Sequence, residues 1–188
     1  MVWDNIEKII YINLENRIDR KENLEKEFSM ISPDKIIRFN AITYDPSYLG
    51  CSQSHIACLK IAIENNWKNV LILEDDASFI NYEEEIIKLE NLIKKDYDVI
   101  LLGGSFKEYN EETNKLKFAQ SCVAYLVSNH YYSTLLDNFE DGLKNSLFID
   151  LNWTKLQSKD NWYVLKLITQ KPGYSNIING FADYTDYF

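Results

Sequence analysis

An α/β fold with a mostly parallel sheet flanked by helices is predicted by three features of the sequence. Short apolar runs rich in β-branched residues recur, as in Ile9-Ile10-Tyr11-Ile12-Asn13-Leu14 and Val70-Leu71-Ile72-Leu73. Segments with apolar residues at helical spacing separate them. The runs are apolar on both faces, as expected of strands covered by helices on each side.

The elements follow in order. Ile9 to Leu14 forms the first strand, broken by Glu15-Asn16. Leu24 and Phe28 share one face of a charged helix that starts near Ile18 and ends before Ser32-Pro33. A strand over residues 36–42 and a loop over 44–50 come next, the latter marked by Asp45-Pro46 and Gly50. Ser52 or Ser54 caps the following helix, whose face is Ile56, Leu59, Ile63 and Trp67. After the Val70 strand, residues 83–95 carry Ile86, Leu89 and Ile93 on one helical side, and Val99-Ile100-Leu101-Leu102 is a strand ending in Gly103-Gly104. Residues 108–117 are polar and form a loop or small hairpin. Residues 121–127 are a strand, and 129–139 a helix capped by Ser128. The last third gathers Trp153, Trp162, Tyr163, Tyr174, Phe181, Tyr184, Tyr187 and Phe188, an aromatic lobe or a partner-binding surface, including self-association.

A chain of 188 residues with 46% apolar content can bury one substantial core, so one domain is expected over 1–188. Cys51, Cys58 and Cys122 lack CxxC spacing and indicate neither a disulfide framework nor a zinc cluster. Reduced thiols and the lack of a signal-like or membrane-spanning apolar segment lead to a cytoplasmic or otherwise intracellular expectation. The net charge of -9 argues against nucleic acid as partner. It still admits a single nucleotide diphosphate, if a divalent cation bridges it to carboxylates.

The carboxylates that would do this follow the Val70 strand. In an extended segment Glu74 and Asp76 project to one side and Asp75 to the other, beyond the carboxyl end of a buried strand, where open α/β sheets bind ligands. An acidic triplet alone is equally a solvated strand end. Two such strands also resemble a phosphorelay receiver, but a receiver needs an aspartate nucleophile where Gly103-Gly104 stands. A sugar-nucleotide-binding module without turnover is the other alternative.

Four segments in order resemble glycosyltransferase family 25, which includes lipopolysaccharide-modifying and procollagen galactosyltransferase-type enzymes. Tyr11-Ile12-Asn13-Leu14 with Arg17, Asp19 and Arg20 resembles the family's INLxxRxDR opening; residues 49–55 its GCxxSH segment; Leu73-Glu74-Asp75-Asp76 its LEDD; and Ala124 to Ser128 its aYliS strand. Ile149-Asp150 matches a later hydrophobic-Asp pair, and Ser175-Asn176-Ile177 a weaker closing signature. Glu15-Asn16 departs from a frequent Asp-Arg pair, and Asn176 from a common Asp.

The resemblance implies a GT-A fold, with a nucleotide-binding half over about 1–104 and an acceptor side over about 105–188, and transfer of a hexose, often galactose, from a UDP-sugar with Mn2+ or Mg2+. On that reading Asp76 and Glu74 hold the metal, and Asp75 meets the ribose or supports the metal ligands from behind. Asn13 and Leu14 read the uracil edge, while Arg17 or Arg20 meets phosphate or acceptor. Ser54 and His55 lie near the donor sugar, His55 kept neutral by a helix N-terminus. Cys51 is a packed thiol and His130 a surface residue. Inversion needs a base for the acceptor hydroxyl, and Asp150, between apolar neighbours, is the candidate, a further metal or sugar ligand being its alternative role. The acceptor, a glycan, lipid-linked saccharide or hydroxylysine-type peptide, is read by the variable loops.

Overall fold

The structure is a computed structural model describing residues 2–175 and 177–183; Asn176, Tyr184, Tyr187 and Phe188 lie outside the described residues. The first half runs β1 (Lys8–Asn13), α1 (Ile18–Glu27), β2 (Ile36–Asn40), α2 (Ser47–Glu64), β3 (Asn69–Glu74), β4 (Ala77–Phe79) and α3 (Tyr82–Leu92). The second runs β5 (Val99–Tyr109), β6 (Leu116–Ser128), α4 (Tyr132–Lys144), the short α5 (Ile149–Asn152) and α6 (Thr154–Gln157), then β7 (Trp162–Val164), β8 (Ile168–Gln170), β9 (Gly173–Ser175) and β10 (Gly180–Ala182).

Six strands form one sheet in the order β2-β1-β3-β6-β5-β7. β1 is parallel to β2 and β3, and β7 is parallel to β5; β6 alone runs against its neighbours β3 and β5. The expected α/β architecture is therefore a mixed, mainly parallel sheet flanked by helices. The exception has a local cause. Residues 108–117 are the tip of a long β5-β6 hairpin, and a short connection permits only antiparallel pairing. A receiver domain, with a strand order of the 2-1-3-4-5 type, has a different topology.

Alternate residues of each central strand enter two cores, one per sheet face. Ile10, Ile72, Leu101 and Tyr125 face α2 and α4 together with Phe139, Trp153 and Trp162. Ile9, Tyr11, Leu71, Leu102 and Leu126 face α1 and α3 with Leu24, Phe28 and Leu89. Period-2 side-chain projection explains the partition, and burial on both sides explains the apolar runs. Trp153 and Trp162 are fully buried, with ring centroids 5.3 Å apart at 84°, so these two aromatics belong to the core. Tyr174 and Phe181 are exposed.

One boundary differs in a way that matters for the site. α2 begins at Ser47, so the expected loop supplies its first turn, and Ser52 and Ser54 lie inside the helix rather than capping it. Their hydroxyls donate back to the carbonyls of Tyr48 and Gly50, at 2.9 and 2.8 Å, the local alternative open to a serine within a helix.

Candidate active site

The acidic turn is built where β3 stops. The chain turns at Asp75-Asp76 and re-enters as β4, so strict alternation ends at Glu74 and all three acids line one cleft at the carboxyl edge of the sheet. β4 pairs with β8, placing Ala77 opposite Gln170, and the Lys171 N–H donates to the Asp76 carbonyl at 2.8 Å. Gln170 is thereby delivered to the acids. Its Nε2 donates to Glu74 Oε2 at 3.2 Å and Asp76 Oδ2 at 3.3 Å. Sequence reasoning missed Gln170, because only the β4-β8 pairing brings it there.

Arg20, in the first turn of α1, reaches the same place. Its Nη1 donates to Asp75 Oδ1 at 2.7 Å and to Asp76 Oδ2 at 3.0 Å, and its Nη2 to the Tyr174 carbonyl at 2.8 Å. Burial and the neighbouring charge of Glu74 push the Asp76 carboxyl up to about 7, against the opposing pull of Arg20. Asp76 Oδ1 is buried with no hydrogen-bond partner among the described residues. A buried carboxylate oxygen left unpaired is costly, and Glu74 and Asp75 line the same cleft. Carboxylate oxygens are the ligand type that hard divalent cations such as Mn2+ or Mg2+ take.

The other predicted residues divide. Leu14, Arg17, Ser54 and His55 line the cleft with Ile42, Thr43, Tyr44 and the acids. Arg17 is held by Asp19 through Nε and Nη2, at 2.9 and 2.8 Å, and lies 3.4 Å from the Tyr174 carbonyl through Nη1. Asn13 is 1% exposed and sits behind the cleft. Its amide donates to Asp75 Oδ2 at 2.8 Å and to the Arg17 carbonyl at 3.0 Å, and its Oδ1 accepts from Arg38 at 2.9 Å. Those bonds use both of its N–H groups, so in this geometry Asn13 orients Asp75.

His55 lies within α2, not at its N-terminus, so the expected dipole effect gives way to direct neighbours. Burial opposes charging the ring, yet hydrogen bonds to Cys51 and Glu74 raise it to about 9. Its Nδ1 is 2.8 Å from the Tyr125 hydroxyl and its Nε2 3.7 Å from Glu74 Oε1. Cys51 is held down to about 6 by the Cys122 hydrogen bond and, against the cost of burial, by His55. The thiol expected merely to pack thus has an activating neighbour one turn along its helix. His130, expected on a surface, is half exposed and bonds Asp98 at 2.7 Å.

Gly50 explains the close seating of this helix. A Cβ there would lie 2.4 Å from the Ile42 carbonyl oxygen, and the Ile42 N–H donates to Ser54 Oγ at 2.9 Å. The segment from Gly50 to His55 thus combines a close approach, a loop clamp and two side chains facing Glu74.

Asp150, in the first turn of α5, lines a second cavity with Tyr48, Phe148, Gln120 and Ser121. Cys51, Glu74, Gln170, Ser175 and Ile177 belong to both cavities, which therefore adjoin through Glu74. Asp150 Oδ2 accepts the Ser121 N–H at 2.9 Å. Burial, then the charge of Glu74, raises its carboxyl despite that bond.

Comparison with known proteins agrees with this architecture. Residues 46–147, more than half of the chain, match glycosyltransferase family 25, described as LPS biosynthesis protein. A protein of Acanthamoeba polyphaga mimivirus, R655, provisionally described as a glycosyltransferase, is 30% identical over 119 residues. The match covers 51% of this chain and 37% of that relative, so the chain spans well under half of its length. Among solved structures, A197 from STIV superposes with a TM-score of 0.57 at 12% identity, covering 94% of this chain and 93% of that one. A glycosyltransferase involved in glycosylation of the major capsid of PBCV-1 gives 0.54 at 8% identity, covering 87% and 92%. These likenesses are of fold, a GT-A-like α/β sheet, while the sequence match and the ordered motifs give the assignment: the chain belongs to glycosyltransferase family 25.

Proposed function

We propose that the chain transfers a hexose, galactose or glucose, from a UDP-sugar to an acceptor hydroxyl with inversion. The observation carrying this reading is the pair of adjoining cavities with Glu74 in their common wall: one holds Asp75, Asp76 and Arg20, the other Asp150. A donor in the first would present its anomeric carbon toward the second, where a single displacement needs a base.

Asp76 and Glu74 would hold Mn2+ or Mg2+, which when bound neutralises charge on the departing diphosphate. Asn13 fixes Asp75 for the ribose. Arg20 and Arg17, on the wall of the same cleft, would meet the diphosphate. Asp150, raised by burial, takes the acceptor proton, since a base titrating nearer neutrality accepts it more readily.

The second cavity supports a saccharide acceptor, free or lipid-linked. Tyr48 and Phe148 form an aromatic wall with ring centroids 4.5 Å apart, a surface for a sugar face, and Ser105, Gln120 and Ser121 supply polar groups. The test is donor hydrolysis: incubation with UDP-hexoses and Mn2+ should release UDP slowly without acceptor. UDP binding without release from any donor would favour the module without turnover.

A further inference from the structure

The side chains of Cys51, His55, Glu74 and Cys122 meet between the two cavities, outside the roles given to Asp76 and Asp150. They come from three elements, α2, β3 and β6. One ligand atom from each lies within 4.8 Å of every other. Cys122 Sγ is 3.5 Å from Glu74 Oε1 and 3.6 Å from His55 Nε2; His55 Nε2 is 3.7 Å and Cys51 Sγ 4.0 Å from Glu74 Oε1.

We propose that these four side chains form a zinc site with two thiolate ligands, one imidazole and one carboxylate. Zinc bonds of about 2.3 Å to sulfur and about 2.0–2.2 Å to nitrogen and oxygen give tetrahedral edges of about 3.4–3.8 Å. The four separations just given, 3.5–4.0 Å, reach that range with shifts of a few tenths of an ångström, and the two from Cys51 to His55 and Cys122 lie within 4.8 Å. Two thiolates select zinc over Mn2+ or Mg2+, which take oxygen ligands.

The surroundings fit the assignment. The Tyr125 hydroxyl, 2.8 Å from His55 Nδ1, accepts that N–H once Nε2 binds metal, which fixes tautomer and ring orientation. Glu74 offers Oε1 to the cluster while Oε2 faces Gln170 and the Asp76 side. Four protein ligands make a closed, structural site. The ion would clip α2 to β3 and β6, and so fix the carboxylate that divides the two cavities. Zinc binding displaces to solvent whatever protons the two thiols and the His55 Nε2 carry, with no change of oxidation state. The sequence concealed the site because its cysteines lie far apart and lack paired spacing.

The proposal shares Glu74 with the cation site proposed above, through its other oxygen, but its test reads metal content alone, on the full, untagged chain, purified under reducing conditions without chelator. Elemental analysis should find about one zinc per chain, as one four-ligand site holds one ion. Cobalt exchanged into the wild-type chain should show thiolate-to-cobalt charge transfer and tetrahedral ligand-field bands. Tyr125→Phe should weaken zinc about tenfold, the lower end of the usual range for an outer hydrogen-bond partner. Cys122→Ala should lose the metal, while Cys58→Ala and Asp76→Asn keep it. A wild-type chain that takes up neither zinc nor cobalt, or whose cobalt form lacks the thiolate band, overturns the proposal, whatever the transferase assay shows.

Discussion

Arg20 Nη1 bridges Asp75 Oδ1 and Asp76 Oδ2, at 2.7 and 3.0 Å, so one guanidinium stands where two buried carboxylates converge. In the metal-free chain it provides the positive charge that burial of these acids demands. Arg20→Gln should therefore cost about 3 kcal/mol in urea unfolding with chelator present, the scale for removing one partner of a buried pair. Added Mn2+ should recover part of that loss, because an ion that binds only the folded chain stabilises it. Unchanged stability in chelator would contradict the role.

Asp150→Asn should lower the transfer rate by about 10²–10⁴, the usual contribution of a general base, and leave UDP-sugar binding intact in calorimetry. The wild-type rate should rise with pH as Asp150 ionises. Because its carboxyl is raised, that limb should lie above the ordinary carboxylate range. Lost donor binding in Asp150→Asn would instead make it a donor ligand.

Gly50→Ala should destabilise the chain by about 1–3 kcal/mol, the cost of forcing extra volume into a packed contact. The added methyl meets a backbone carbonyl at 2.4 Å, so helix and loop must part. Thermal unfolding reads the effect, and a neutral result would show that α2 can shift freely.

Glu27 ties α1 to β4 and to the residue after Gln170, accepting from Ser78 Oγ and the Phe79 N–H at 2.9 Å and from Lys171 Nζ at 3.0 Å. Burial alone would raise its carboxyl, but these bonds outweigh it and hold the group below 4.5. A lowered folded value means stabilisation that is complete above the unfolded value and lost as pH falls through the folded one. Glu27→Gln should cost about 1–2 kcal/mol in denaturant at pH 7, and the gap from wild type should close in acid. A gap independent of pH would contradict this.

The fold was legible because burial on both sheet faces writes itself into runs such as Val70 to Leu73, and amphipathic segments such as α3 keep helical spacing. The direction of β6 was not, since an apolar run carries no sign of which way it pairs. Of the site, the triplet at Glu74 to Asp76 was legible from its place after a buried strand. Its partners were less so: Gln170 arrives by β4-β8 pairing, Arg20 by the angle of α1, and Cys122 across the sheet. Asn13 and His55 show the limit of reading one residue at a time. His55 lines the cleft and Asn13 sits behind it, but Asn13 is engaged by Asp75 and Arg17, and His55 by Tyr125, Cys51 and Glu74.

Donor capture as proposed rests on Asp76 holding a cation that in turn holds a UDP-sugar. Calorimetric titration of a UDP-hexose into wild type and Asp76→Asn, each with Mn2+ and with chelator, tests it most directly. Asp76→Asn should fold at least as stably as the metal-free wild type at neutral pH, since it removes a carboxylate whose charge burial opposes. Binding by wild type only with Mn2+, abolished in the folded variant, is the predicted result. Equal binding with and without metal in both proteins would contradict it.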